Sequence, residues 1–307
     1  MRIRFWGVRG SLPSPLPPSV VREKISEILR RAAPGDLADD ASRERFLSGL
    51  PPLLFGTAGG NTPCVSVSIE GLDGEIVFDC GSGMRELGAD GGGQVGRYYV
   101  FMSHFHWDHL QGLPFFAPAY GRSTDIRFHS PVPGFEAMLS SVMKKPYSPI
   151  TLNDTQAKKS FRLIDAPVKL GPATVSFIKV PHPGGSFSYR VDHGGKKFVY
   201  VTDVELGEDD IADDGGFFAG ADVAVVDAQF SPEEAAGKAG WGHSTYDAAV
   251  RFAARRGIGH LVLFHHDPNS DDARLEESLA AARRILPTES GGGMTISLAC
   301  EGSEIVL

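Results

Sequence analysis

Short apolar runs bounded by Gly, Pro and Asp recur along most of the chain and set its expected elements. Arg2-Ile3-Arg4-Phe5-Trp6 alternates polar and apolar residues and reads as a first strand, ahead of the Gly- and Pro-punctuated loop Gly7 to Pro13. Val65 to Ile69 reads as a second strand. The turn signal Asp73-Gly74 then leads into Glu75 to Asp79 as a hairpin, and Cys80 to Met84 closes that strand as a tight loop. Tyr98 to Met102 has the length and the aromatic, β-branched content of a buried strand. Strand-like runs follow at about 161–164, 173–180 and 187–193. After the Gly194-Gly195 turn come 196–201, Asp222 to Asp227 and His260 to Leu263. Met294 to Ala299 and Glu304 to Leu307 read as a closing hairpin.

Helical periodicity is confined to fewer places. Val20, Val21, Ile25, Ile28 and Leu29 recur at helical spacing between polar residues, and Ala41 to Leu47 reads as a second, shorter helix. Pro-rich segments at 13–18 and Pro51-Pro52 flank this pair, so residues 15–55 are expected to be a helical insertion packed on the surface, within a single domain spanning 1–307. Further helices are expected over Pro133 to Lys145, 244–256 and 271–286. Periodicity alone supports a layered α/β or α+β protein.

Composition narrows the class. With 42% apolar and 22% charged residues the chain is an ordinary globular sequence. No apolar run is long enough to span a membrane, and the N-terminus has no apolar signal-peptide core. Three scattered cysteines, Cys64, Cys80 and Cys300, form neither a disulfide framework nor a zinc knuckle, and a reducing cytoplasm is the expected location. The net charge of −8, without a Lys/Arg run, argues against a large nucleic-acid ligand. Two bound dications would nevertheless make a site mouth locally positive.

The chemistry concentrates at Ser103-His104-Phe105-His106-Trp107-Asp108-His109, directly after the strand at 98–102. His104 and His106 are two apart, so on an extended backbone they point the same way. Asp108 and His109 follow once the chain begins to turn and can face a second point. Four ligand-type side chains exceed what one structural zinc site needs, and three protein ligands plus water is the catalytic pattern.

This H-x-H-x-D-H segment resembles the signature of the metallo-β-lactamase fold superfamily, whose remaining ligands stand at the ends of later strands. Val180-Pro181-His182, Val201-Thr202-Asp203 and Leu263-Phe264-His265-His266-Asp267 supply them in order. The resemblance implies an αββα sandwich of two facing mixed sheets with outer helices. It implies that His104, His106 and His182 hold one divalent metal and Asp108, His109 and His265 a second, with Asp203 bridging. Asp108 then counts both as ligand and as catalytic group. Zn²⁺ is the first expectation from mixed imidazole and carboxylate ligation, with Mn²⁺ and Fe²⁺ compatible. His266 competes with His265, and the position straight after the strand favours His265. Asp79 is expected to brace the His loop.

Trp241-Gly242-His243-Ser244-Thr245 resembles the Gly-His-Ser/Thr element of the phosphodiesterase branch, which includes the tRNA-maturing endonucleases. There a His outside the metal shell protonates the leaving group. His243 takes that role here, with Asp227 orienting it; the alternative is a helix start with Ser244 as N-cap. Departures restrict the activity. Residues 183–202 leave room for two strands and a turn, not for the long tRNA-binding arm of those endonucleases. Asp203 stands where true β-lactamases have Cys, and His106 where the flavo-diiron branch has Glu. The expected function is hydrolysis of a small or cyclic phosphodiester, a small-molecule partner, with a homodimer left open. The competing functions are a lactone, thioester or carboxyl-ester hydrolase, and a metal-bound sensor or partner-binding module.

Overall fold

The computed structural model describes residues 1–90, 96–207, 211, 215–289 and 293–307. Its strands are β1 (Arg2–Gly7), β2 (Cys64–Ser68), β3 (Glu75–Phe78), β4 (Arg97–Phe101), β5 (Asp125–Ser130), β6 (Lys158–Leu163), β7 (Val168–Leu170), β8 (Ala173–Val180), β9 (Ser186–His193), β10 (Lys196–Val201), β11 (Val223–Asp227), β12 (His260–Phe264), β13 (Thr295–Leu298) and β14 (Glu304–Val306). They form two mixed seven-stranded sheets, ordered β14-β1-β2-β3-β4-β5-β6 and β13-β12-β11-β10-β9-β8-β7.

The sheets face one another across a core that includes Phe5, Phe78, Phe101, Tyr189, Phe198, Tyr200 and Phe264. Period-2 alternation explains the layering. In β4, Tyr99 and Phe101 enter this central core, while Tyr98 and Val100 enter a second one. That second core packs α4 (Met84–Asp90) and α5 (Phe135–Val142) onto the outer face of the first sheet. A third holds α6 (Tyr246–Arg255) and α7 (Asp272–Glu289) against the second sheet. Four layers, αββα, result, as the resemblance implied.

The direction of the strands positions the site. β3 to β6 run parallel, as do β10 to β13. β8 and β10 each pair antiparallel with β9, so β8 also ends on the side where β10 ends. The segments following β4, β8, β10, β11 and β12 carry the His loop, His182, Asp203, the Asp227 end and His265, at the C-terminal edges where open α/β sheets place ligands.

The segment 15–55 folds as α1 (Pro18–Arg31), α2 (Asp40–Ser48) and the single turn α3 (Pro52–Phe55). It docks by one polar anchor: Lys24 donates to the carbonyls of Leu53 (2.6 Å) and Gly56 (2.7 Å) and pairs with buried Asp272 at the start of α7.

One expectation is overturned. The last two strands are not a hairpin. β13 extends the second sheet in parallel with β12, and β14 extends the first in antiparallel with β1. Between them the chain crosses from one sheet to the other, held by Glu301 N–H to Ala58 O (2.8 Å) and Gly302 N–H to Phe5 O (2.8 Å). The short elements α3, α4, β5 and β7 were also not expected, because three to seven residues carry too little periodicity to read.

Candidate metal centre

Asp79, in the left-handed region at φ 62°, anchors the His loop. Its carboxylate is fully buried and accepts hydrogen bonds from Ser103 N–H (2.7 Å), Ser103 Oγ (2.7 Å), His109 Nδ1 (2.8 Å) and Tyr200 Oη (3.0 Å). After His106 the chain makes one tight turn, Trp107–His109, and this turns Asp108 and His109 inward. Ser11 N–H, on the loop after β1, donates to Asp108 Oδ2 at 2.8 Å. Asp203 and His265 also take left-handed φ, 39° and 61°. Such conformations cost of order 1–3 kcal/mol each outside glycine and concentrate at functional sites.

All seven residues proposed from sequence as ligands come together. His104, His106, His182 and Asp203 form one group and Asp108, His109, Asp203 and His265 another, each with its ligand atoms within 4.8 Å of one another. Asp203 is common to both. Its Oδ1 lies 3.0 Å from His109 Nε2 and 3.1 Å from His265 Nε2; its Oδ2 lies 3.5 Å from His104 Nε2 and 3.9 Å from His182 Nε2.

Hydrogen bonds at the outer ring nitrogens explain why the inner ones converge. Nδ1 of His104 sits on Ser103 Oγ (3.0 Å), of His109 on Asp79, of His182 on Gly242 O (2.7 Å) and of His265 on Gln229 Oε1 (3.0 Å). Donation from each Nδ1 leaves an Nε2 lone pair facing the cluster. His106 is the exception and presents Nδ1, 3.1 Å from His182 Nε2. The buried Nε2 atoms of His104 and His109 make no hydrogen bond. Buried polar atoms of this kind ordinarily find partners, so orphaned, converging imidazole nitrogens beside carboxylates fit a pair of divalent ions.

The electrostatics of the side chains alone divide the imidazoles: burial would lower the pKa of His109, but Asp203, Asp108 and Asp79 outweigh it and hold it well above the ordinary value. Burial pushes His104, His106 and His182 below the ordinary imidazole value, which keeps their lone pairs free. For Asp203 burial opposes ionisation, but His265, His109 and His104 outweigh it and hold the carboxyl well below its usual range. Asp108 is likewise held low against burial, chiefly by the charge of His109.

His243 lies beside this cluster. Its Nδ1 is 2.9 Å from Asp227 Oδ2, and its ring stacks on His265 at 4.9 Å between centroids. Asp227 is fully buried and fixed by Val204 N–H (3.2 Å) and Gln229 N–H (3.1 Å). Burial alone would lower the pKa of His243, but the charge and hydrogen bond of Asp227 raise it to about 9. Ser244 is not a helix cap: its Oγ donates to Val204 O, and Thr245 caps α6 through Ala248 N–H. His266 is no ligand candidate either. Its Nε2 sits on Ala299 O (2.9 Å), and burial and Arg9 push its pKa down to about 3.

The contacts of five supporting residues were not anticipated: Gly10, Ser11, Tyr200, Gln229 and Gly242, the last named from sequence only as part of the Gly-His-Ser/Thr element. The two glycines are required by close approach. A Cβ on Gly10 would meet the His265 ring at 2.5 Å, and one on Gly242 (φ 87°) would meet His182 Nδ1 at 2.3 Å. Gly10 belonged to the Gly-punctuated loop after β1, which was the available signal.

The sequence bears the same relation. A family model described as a beta-lactamase superfamily domain matches residues 75–266. The chain belongs to the metallo-β-lactamase superfamily, in its phosphodiesterase-like branch, and is a metal-dependent hydrolase. It is 27% identical over 197 residues to "Probable metallo-hydrolase YhfI" of Bacillus subtilis, covering 62% of this chain and 76% of that one. The crystal structure of YhfI superposes with a TM-score of 0.64 at 18% identity, over 99% of this chain and 98% of that chain. Ribonuclease Z of Bradyrhizobium diazoefficiens is 26% identical over 288 residues, covering 75% of this chain and 91% of that one.

Proposed function

We propose that the chain hydrolyses a small or cyclic phosphodiester at this centre, with His243 as the proton donor to the leaving oxygen. The observation that carries the reading is the Asp227–His243 pair at 2.9 Å, stacked against the candidate ligand His265. His104, His106 and His182 would hold one divalent ion, Asp108, His109 and His265 the other, and Asp203 would bridge them. Divalent ions bound there would polarise the phosphoryl oxygens and make water nucleophilic at neutral pH.

The chain's own residues then divide the work. Asp79 keeps His109 and the His loop in register through three hydrogen bonds and is itself held by a fourth from Tyr200. Gly242 O orients His182, and Gln229 orients His265. Asp227 fixes the His243 tautomer with Nδ1–H toward itself and keeps the ring protonated, so Nε2–H is the proton available to substrate. A departing alkoxide gathers negative charge and needs that proton; a departing p-nitrophenolate does not. A carboxyl-ester, thioester or lactone hydrolase would need the same ions but has less use for a protonated His243.

His243→Ala is therefore expected to lower kcat on a diester with an alkyl leaving group by roughly 10²–10⁴-fold. Bis-p-nitrophenyl phosphate turnover should be largely spared and the metal content unchanged. Asp227→Asn should show a weaker form of the same split. Equal losses on both substrates would remove the proton-donor role.

A second reading, cleavage of RNA, is favoured by the sequence likeness to ribonuclease Z. Against it, residues 183–202 hold β9, β10 and turns, with no projecting arm. Turnover of a tRNA precursor at a kcat/KM well above that for cyclic nucleotides would establish the RNA reading in place of the small diester.

A further inference from the structure

Alternation in a two-sheet sandwich requires apolar residues on the faces that meet. β5 and β6 break this rule. Their outward positions, Ile126, Phe128 and Phe161, pack into the core beneath α5. The opposite positions are Asp125, Arg127 and His129 on β5, and Lys158, Ser160 and Arg162 on β6. These polar positions share the face on which Tyr99 and Phe101 of β4 enter the central core. Here, at the open side of the sandwich, they line a cavity of about 490 Å³. Tyr99 forms part of its wall, and Lys169, Leu170 and Gly171, from the edge of the facing sheet, close it.

The charge of this cavity is lopsided in a chain of net charge −8. Arg127, Lys158, Arg162 and Lys169 line it against one carboxylate, Asp125, which is already paired with Arg97 (3.1 Å) and Arg127 (2.8 Å). Lys158, Arg162 and Lys169 have no carboxylate partner among the described residues. His129 is 4% exposed and lies in the cavity wall. Lysines on edge strands commonly serve only to prevent sheet-to-sheet pairing. That explanation covers Lys158 and Lys169. It does not cover Arg127 and His129, which lie one strand in from the edge.

We propose that this cavity binds a small phosphorylated ligand, with Arg127, Lys158, Arg162 and Lys169 meeting the phosphate oxygens beside the His129 ring. The size favours a compact ligand held between the two sheets over a polymer laid across a surface. Phosphate recognition by several Arg and Lys side chains follows from charge-assisted, partly bidentate hydrogen bonding. The site also adjoins the His loop through its framework: the His129 ring stacks on Phe101 at 4.6 Å, and His129 O accepts Met102 N–H at 3.0 Å, two residues before His104.

The test is an NMR titration of the full chain with inorganic pyrophosphate, following the His129 ring signals assigned from their loss in His129→Gln. The result expected is a saturable one-to-one shift of the His129 signals that weakens with added salt. The Lys158→Ala/Arg162→Ala pair, both exposed and outside the candidate metal centre, should weaken the midpoint by roughly tenfold per cation removed. That variant should keep its bis-p-nitrophenyl phosphate turnover, which separates this site from phosphate binding at the metal ligands. A single-stranded oligoribonucleotide forms the second arm. A His129 response to the oligonucleotide and not to pyrophosphate would overturn the small-ligand assignment. So would no saturable response to either, or an unchanged midpoint in the double variant.

Discussion

Asp203 is the residue on which the two candidate ligand groups converge. Its two oxygens lie 3.0 to 3.9 Å from imidazole nitrogens of the candidate ligands His104, His109, His182 and His265. His104 belongs to one group alone. Asp203→Ala is therefore expected to lower metal content at both sites and His104→Ala chiefly at one, measured by elemental analysis after reconstitution with Zn²⁺, Mn²⁺ and Fe²⁺. A single metal per wild-type chain under all three conditions would remove the two-ion reading. The residue types and their order were legible in the sequence because ligand chemistry admits few side chains. What was not legible is how the backbone aims them. Asp79, Asp203 and His265 all require left-handed φ, a state that local preference disfavours and only the surrounding packing imposes. Ser11 and Gln229, distant in sequence from the ligands they touch, left no local trace.

At the scale of elements, the strands that end at the site were legible because each is a bounded apolar run, α1 because its periodicity is long enough, and α6 and α7 because of their Ala, Arg, Glu and Leu content. The closing pair failed for a physical reason: a turn between two strands reports that the chain reverses, not which sheet each strand joins. β5 carries the other departure, a polar inner face, and with it a pH dependence. His129 is buried, and burial, reinforced by the charges of Arg162 and Arg127, holds its pKa down to about 4. An unfolded histidine titrates near ~6.5. Between these values the unfolded chain binds a proton that the folded chain refuses. The stability from neutral His129 is complete above ~6.5 and is lost as the pH falls toward 4, in all about 3 kcal/mol. His129→Phe, which keeps an aromatic ring beside Phe101, should remove this part of the acid sensitivity. Urea unfolding of both proteins at pH 7 and pH 4 checks it; parallel losses would show that His129 is protonated in the folded state.

At the scale of the whole molecule, we read residues 15–55 as an addition to a complete αββα domain, because no strand of either sheet comes from it. The segment leaves the metal face, where Ser11 N–H touches Asp108 and Ser14 Oγ donates to Pro268 O (2.5 Å). It docks on α7, where the anchor is the Lys24–Asp272 ion pair, with both side chains mostly shielded from water. Removing Lys24 alone leaves the Asp272 charge buried beneath α1, at a cost of about 3–5 kcal/mol. Asp272 would keep Ala58 N–H (2.9 Å), Thr57 Oγ1 (3.2 Å) and the charge of Arg9. Lys24→Met should therefore lower the urea midpoint substantially while metal content stays at the wild-type level. Replacing 17–52 by a short Gly/Ser bridge opens Asp272 to water and should also keep the metal content, without the buried-charge cost. If the segment also borders the substrate or a second subunit, KM or oligomeric state will change in the deletion variant and not in Lys24→Met. Loss of metal from the deletion protein would mean that the segment supports the Ser11–Asp108 contact, and the domain would not be complete without it.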